Sequence, residues 1–98
     1  MFERVLQKLQ DAILAGEYEV TDPHFLEELA AEDLTLPDAE TAILTGRITR
    51  RYTDDPRGTR YKVVGRSTDG RLLAVIVRIK ESGVPLWITV YLEVEETE

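Results

Sequence analysis

The sequence predicts an α+β fold in which two to three N-terminal helices pack on one face of a four-stranded antiparallel sheet. Between Arg47 and Tyr91, apolar residues recur at every second position, as side chains on the buried face of a β-strand do. The joints between these strands are too short for the crossover that parallel neighbours need, so the strands are predicted to be antiparallel. The first 45 residues carry apolar side chains at helical spacing instead.

Residues that favour helix ends divide the N-terminal segment. An apolar stripe predicts a first helix over about residues 2–15, and Gly16 is placed to end it in a left-handed conformation. Residues 17–20 form either an extended connector or a very short strand. Asp22 and Pro23 then predict the N-cap and the first residue of a second helix.

A third helix and the strand joints complete the outline. Thr35 and Asp38 form a capping-box-like pair that predicts the helix start, and Gly46 predicts its end. Short stretches of Asp, Gly, Pro and Ser predict the three turns of the sheet, at residues 54–58, 68–70 and 82–85.

The length predicts a single domain, because 98 residues support one hydrophobic core and no more. We predict a helical layer over about residues 1–45, a sheet over about 46–92 and a frayed acidic tail at 93–98.

The two parities of the predicted strands differ in chemistry. One parity is apolar and predicts the buried face: Ile48, Tyr52, Tyr61, Val63, Leu73, Val75, Val77, Ile79, Leu86, Ile88, Val90 and Leu92. The other is basic with two aromatic rings: Arg47, Thr49, Arg51, Arg60, Lys62, Arg66, Arg78, Lys80, Trp87, Thr89 and Tyr91. This second face is the candidate binding surface.

Charge is segregated along the chain, whose net charge is −7. Residues 46–80 hold 10 bases and 3 acids (+7), whereas residues 1–45 hold 2 bases and 11 acids (−9) and residues 81–98 hold 5 acids and no base (−5). A basic segment on one sheet face attracts phosphates. An alternative of equal weight is that the acidic segments neutralise the basic strands within the molecule.

Several classes of protein are excluded or disfavoured by composition. The absence of cysteine excludes disulfides, thiolate catalysis and cysteine-bound zinc. With neither a signal-peptide pattern nor an apolar run of about 18 residues, the sequence predicts a cytoplasmic protein without a membrane partner.

A family resemblance covers about residues 18–92. It rests on Pro23-His24-Phe25-Leu26-Glu27, Ile43-Leu44-Thr45-Gly46-Arg47-Ile48, Tyr52-Thr53-Asp54-Asp55-Pro56-Arg57-Gly58, Val64-Gly65-Arg66 with Thr68-Asp69-Gly70-Arg71, and Ile88-Thr89-Val90-Tyr91. The chain resembles domain-of-unknown-function family 4258, small prokaryotic proteins in which a histidine-bearing helix and a glycine-ended helix precede a sheet.

The resemblance implies a layout similar to that of RelE-type ribonuclease toxins, which cleave RNA without a metal through residues on the open sheet face. It thereby implies RNA and an antitoxin-like protein as candidate partners. The chain departs from the family pattern at Glu28, where arginine is usual, and at Ala74, where histidine is usual. Part of any family chemistry is therefore expected to be missing.

RNA binding by this basic face with its two aromatic rings would use two kinds of side chain. Cations would hold phosphates and aromatic rings would stack bases, and the candidate residues are Arg47, Arg51, Arg60, Lys62, Arg66, Arg78, Trp87 and Tyr91. Alternatively, the two rings pack against Leu72 and Ile76, and this strip is a protein interface that includes the homodimer case.

Metal-free RNA cleavage requires a base, a cation and an acid. His24 as base, Arg47 as cation and Tyr91 as acid form the candidate catalytic set, although a histidine at a helix start is commonly an exposed or capping residue. Asp54 and Asp55 are more typical of a turn than of a metal site, so no metal and no cofactor are predicted. The sequence favours a binding module, with a ribonuclease and a protein-interaction subunit as alternatives.

Overall fold

The chain places its helices before most of its sheet. The structure, a computed structural model, describes residues 1–95. The helices are α1 (Glu3–Ala15), α2 (His24–Ala31) and α3 (Leu36–Thr45), and the strands are β1 (Glu19–Val20), β2 (Arg47–Tyr52), β3 (Arg60–Arg66), β4 (Leu72–Ile79) and β5 (Pro85–Leu92). None of the described helices is long and apolar enough to cross a bilayer. The α+β class predicted from the sequence is confirmed.

The strands form one sheet in the order β1-β5-β4-β3-β2. The four strands from β2 to β5 are antiparallel neighbours, as the short joints predict. The predicted strand count is wrong, because β1 adds a fifth strand parallel to β5 and makes the sheet mixed. A strand of two residues has no period to recognise, and its pairing partner lies more than 60 residues away.

All three helices cover the same face of the sheet. They contribute Leu9, Phe25, Leu29, Ala39, Ala42 and Ile43 to a core that the sheet completes with Val63, Leu73, Val75, Val77, Trp87 and Val90. The approach of α3 to β3 is very close, since a Cβ on Gly65 would collide with the carbonyl oxygen of Ala42. The opposite face of the sheet carries no helix from the described part of the chain.

Three of the four predicted helix ends are confirmed. Gly16 follows α1 in the left-handed region, with φ of 69°. The capping box of α3 is complete, because the Thr35 N–H donates to Asp38 Oδ2 at 2.9 Å and the Asp38 N–H donates to Thr35 Oγ1 at 3.4 Å. Gly46 follows α3 directly, in an extended conformation.

The start of α2 differs from the prediction. Pro23 precedes the helix instead of opening it, and no side chain caps the helix start. The prediction that Asp22 is the N-cap is therefore wrong. The carbonyl oxygen of Thr21 accepts the Phe25 N–H at 2.9 Å and makes the first turn.

Asp38 also fastens α3 to the turn between β3 and β4. Its carboxylate is buried, with 5% of the residue exposed, and it accepts hydrogen bonds from the Thr68 hydroxyl and from the Thr68 N–H at 3.1 Å. The bond from the Thr68 hydroxyl, together with the others to Thr35 and Thr68, lowers the pKa of Asp38 to about 2. The charged carboxylate thus stabilises the contact between helix and sheet.

Two bulges change which side chains face the helices. The pairing of β2 with β3 skips Thr49, and the pairing of β5 with β4 skips Ile88. An extra residue in a strand reverses the alternation beyond it. The faces predicted for Arg51 and Tyr52, and for Leu86 and Trp87, are therefore wrong and are exchanged in the structure.

Candidate functional site

The sheet face away from the helices is called the open face here. The strand register places on it Arg47, Arg50, Tyr52, Arg60, Lys62, Val64, Arg66, Leu72, Ala74, Ile76, Arg78, Leu86, Thr89 and Tyr91. Six of the eight residues predicted to bind RNA lie on this face. The exceptions are Arg51 and Trp87.

Trp87 lies in the core. Its residue is 0% exposed, its ring stacks on Tyr18 with centroids 3.9 Å apart, and Phe25 lies 5.9 Å away. The Tyr18 hydroxyl donates to Glu40 at 2.7 Å, and burial together with this bond raises the pKa of Tyr18. Trp87 therefore has no surface on which to stack a base.

Arg51 lies on the helix side of the sheet. It pairs across the ladder with Tyr61, which packs against the core, and lines a hollow of about 430 Å³ beside Phe2 and Val5 of the N-terminus. Its neighbour Arg50 takes the place on the open face. Sequence parity missed Arg50 because nothing local marks the bulge at Thr49.

Two guanidinium groups lie close to one aromatic ring at the β2 edge of the open face. The guanidinium carbons of Arg50 and Arg60 are each 5.2 Å from the centroid of Tyr52. Arg60 also lies 3.7 Å from Asp54 and 3.5 Å from Asp55, whereas Arg50 makes no ion pair within residues 1–95. Tyr52 was predicted to be buried in the core and is instead a half-buried residue of the open face.

The turn between β2 and β3 uses its carboxylates internally. Asp55 accepts the Arg57 N–H at 2.9 Å and the Arg57 guanidinium at 3.1 Å. These bonds lower the pKa of Asp55 to about 2. The interpretation of Asp55 as a turn residue is confirmed. Across residues 1–95, no group of three His, Asp or Glu side chains is arranged to hold a metal ion.

An ion pair lies at the centre of the open face. Lys62 Nζ lies 2.5 Å from Glu93 Oε2 and 5.7 Å from the centroid of Tyr91, and only 17% of the Lys62 side chain is exposed. The bond between the two groups raises the pKa of Lys62 and lowers that of Glu93. Lys62 reaches from β3 across β4, where the small side chain of Ala74 separates Val64 from Tyr91.

A second ion pair lies beside the first. Arg66 donates to the Gly70 carbonyl at 3.0 Å and to Glu95 Oε1 at 2.5 Å. Between Arg66 and Arg47 is a shallow hollow of about 520 Å³, lined also by Leu72 and Val94. The segment predicted to fray thus contacts the sheet at Glu93 and Glu95, while residues 96–98 lie outside the described residues.

Two further cations of the strands and turns are engaged by backbone carbonyl groups. Arg78 donates to the Arg57 carbonyl at 3.1 Å. Arg71 donates to the carbonyls of Glu32 and Asp33 at 2.9 and 3.1 Å, where α2 ends and its carbonyls lack helical partners. Arg71 therefore has a structural role.

The candidate catalytic residues do not meet. Arg47 and Tyr91 lie in one row across the sheet, through Val64 and Ala74, and are three strand spacings or about 14 Å apart. His24 is the first residue of α2, which packs on β5, and β5 is three strand positions away from the β2 strand that carries Arg47. His24 therefore lies on the helix layer near β5, whereas Arg47 lies on the open face of β2, three strands away.

His24 instead belongs to a cluster that sequence reasoning missed. Its Nε2 lies 3.3 Å from Glu28 Oε1, and 61% of its side chain is exposed. Glu28 accepts the Thr89 hydroxyl at 2.5 Å and the Val90 N–H at 3.1 Å. Glu28 thereby accepts hydrogen bonds from donors at the outer edge of β5, beside the bulge. Because Glu28 lies about 60 residues from β5 in the sequence, no local pattern predicts this contact.

The family comparison agrees with the resemblance seen in the sequence. Residues 22–92 match the sequence model of a family described as "Domain of unknown function (DUF4258)". No curated protein and no solved structure matches the chain at a significant level. The match spans α2, α3 and the sheet from β2 to β5, which includes the whole open face up to Leu92.

Proposed function

Since the chain belongs to the DUF4258 family, whose description names no activity, we propose a function from the geometry of the open face: binding of single-stranded RNA without cleavage. One observation carries the proposal. Arg47 and Arg50 are exposed on the face that also holds Tyr52 and Tyr91, and neither arginine makes an ion pair within residues 1–95.

The arrangement of charge supports a single-stranded ligand. Phosphates are held by arginine and lysine, and aromatic rings stack on bases that are not already stacked in a duplex. On the open face, Tyr52 lies near two guanidinium groups and Tyr91 near an ammonium group. These rings are half-buried, so each presents part of its surface to a ligand.

The charges around the open face make the proposed RNA binding weak at physiological salt. The protein carries a net charge of −7, and several open-face cations already contact carboxylates of the same chain. Long-range attraction of any polyanion is therefore small, and affinity depends on local contacts along β2.

We propose that this chain shares with RelE-type toxins the helix-then-sheet layout and the use of the open sheet face. The separation of His24 from Arg47 supports binding over a metal-independent ribonuclease activity. The burial of Trp87 removes the largest ring from the proposed homodimer interface, so that alternative has less support than RNA binding.

Fluorescence anisotropy with a labelled 15-nucleotide single-stranded RNA tests the proposal. We expect binding whose logarithmic affinity falls with the logarithm of salt concentration at about −0.7 per phosphate contacted. Three to five contacts would give a slope of about −2 to −3.5. A duplex of the same sequence is the control and should bind more weakly. Absence of binding at 50 mM salt, or binding that does not weaken as the salt concentration rises, would exclude the function.

A further inference from the structure

The strongest unexplained feature is the position of the segment after β5. The Glu93 N–H donates to the Leu72 carbonyl at 2.9 Å, which continues the pairing of β5 with β4 for one more residue. The side chains of Glu93 and Glu95 then both turn to the open face, where they contact Lys62 and Arg66. Two successive acidic side chains thus occupy two neighbouring cations of the proposed RNA site.

We propose that Lys62 and Arg66 form a subsite for two successive phosphates of single-stranded RNA, and that Glu93 and Glu95 occupy it until RNA displaces them. The inference rests on the proposed function and adds to it a site and an intramolecular competitor. The acidic end of the chain lowers RNA affinity by filling this subsite.

The geometry of the segment resembles that of a nucleic-acid strand. Residues two apart in an extended chain are about 6.6 Å apart, which is comparable with the separation of neighbouring phosphates along a single strand. Glu93 and Glu95 are two residues apart and contact two different cations, and their carboxylates are anionic acceptors like phosphate oxygens. Each carboxylate contacts its cation directly, as the two partners of an ion pair do.

The subsite is organised before any ligand binds. Lys62 Nζ lies 5.7 Å from the centroid of the Tyr91 ring, and 17% of the Lys62 side chain is exposed. One nitrogen of the Arg66 guanidinium is fixed by the Gly70 carbonyl, and another points to Glu95. A phosphate that replaces each carboxylate meets a cation that is already oriented, so little side-chain entropy remains to be lost.

The competitor is attached weakly enough to be displaced. The Glu95 and Arg66 side chains are both about half exposed, at 54% and 52%. An exposed ion pair of this kind contributes only about 0.2–1 kcal/mol. The pair of Glu93 with Lys62 is less exposed, at 22% and 17%. We expect removal of both carboxylates to raise RNA affinity about three- to tenfold.

The experiment compares two double variants with the same change in net charge. In Glu93→Gln/Glu95→Gln the subsite loses its competitor, while the amides keep the size of the side chains. In the control Glu17→Gln/Glu81→Gln, two exposed carboxylates are removed from the opposite end of the sheet, near the turn between β4 and β5. Affinity for the 15-nucleotide RNA is measured by anisotropy at one salt concentration, and thermal unfolding confirms that each protein is folded.

We expect the Glu93/Glu95 variant to bind about three- to tenfold more tightly than wild type and the control to stay close to wild type. Adding Lys62→Gln to the Glu93/Glu95 variant should remove the gain. Equal gains in both double variants, or no gain in either while wild type binds RNA, would refute the competitor and leave the proposed function standing. If neither wild type nor any variant binds RNA, the proposed function itself fails.

Discussion

The indole ring of Trp87 lies nearly parallel to the phenol ring of Tyr18, with the ring planes 6° apart and the centroids separated by 3.9 Å. This stack joins β5 to the connector between α1 and α2. It also decides which face of β5 is buried, because Trp87 is the largest fully buried side chain of the described residues.

We expect Trp87→Ala to lower the free energy of unfolding by about 3–5 kcal/mol, since it leaves a cavity in the core. Trp87→Phe should lower the free energy of unfolding by less. Trp87 Nε1 has no hydrogen-bond acceptor within residues 1–95, so replacing the indole with a phenyl ring breaks no hydrogen bond. Urea unfolding measures both. Trp87 is the only tryptophan, so weak quenching of its fluorescence by iodide reports its burial directly. A folded Trp87→Glu protein of wild-type stability would contradict this placement.

The bulge at Thr49 predicts opposite results for two adjacent arginines. Arg50→Glu places a negative charge on the open face and should weaken RNA binding at least about tenfold, whereas Arg51→Glu, on the helix side, should change it less than about threefold. Arg47→Glu combined with Arg50→Glu should abolish binding. Anisotropy at fixed salt measures all three variants. Equal losses for Arg50→Glu and Arg51→Glu would show that overall charge, and not the open face, governs affinity.

Cleavage of RNA is expected to be negligible. General acid–base catalysis contributes about 10²–10⁴-fold to a rate, and His24 lies on the helix layer near β5 while Arg47 lies on the open face of β2. We expect purified protein in excess chelator to leave a labelled single-stranded RNA intact over hours, and His24→Ala to behave as wild type. Rapid cleavage that persists in chelator and disappears in the His24→Ala protein would overturn this prediction.

Asp38 predicts a specific dependence of stability on acid. Its pKa is about 2 in the folded protein and 3.8 without the fold's contacts. A lowered carboxyl pKa stabilises the folded state above the unfolded value, and this contribution is lost as pH falls from about 4 to about 2. Its size is about 2 kcal/mol.

We therefore expect Asp38→Ala to be less stable than wild type at pH 7 by about 2 kcal/mol or more, with a smaller further loss between pH 4 and pH 2. Glu27→Ala, at an exposed position of α2, is the matched control and should stay within about 0.5 kcal/mol of wild type. Unfolding midpoints across that pH range measure the difference. If the stability of wild type and of Asp38→Ala changed in parallel with pH, ionised Asp38 would not stabilise the fold as proposed.

The sequence by itself determined what depends on neighbouring residues. The helical spacing of apolar residues located all three helices. Gly16 marked the end of α1 and the Thr35 capping box marked the start of α3. Turn residues located the four antiparallel strands. On one side of each bulge, the alternation of apolar and polar residues also assigned the sheet faces correctly. Arg47 and Ile48, before the bulge in β2, lie on the predicted faces, and so do Val90 and Tyr91, after the bulge in β5.

The tertiary structure decided the faces on the other side of each bulge. In β5, the bulge at Ile88 is supported by groups from far along the chain. The Thr21 hydroxyl donates to the Ile88 carbonyl at 2.9 Å, and Glu28 accepts the Val90 N–H at 3.1 Å. Partners more than 60 residues away leave no trace in local periodicity, so Trp87 was assigned to the wrong face.

Charge pairing is the second property that only the tertiary structure decided. The sequence left open whether the acidic segments neutralise the basic strands, because net charge says nothing about distance. Folding brings Glu93 to Lys62 and Glu95 to Arg66, yet leaves Arg47 and Arg50 unpaired within residues 1–95. Ion-pair energy depends on the separation of the charges and their exposure, and both quantities are fixed by the packing of the whole chain.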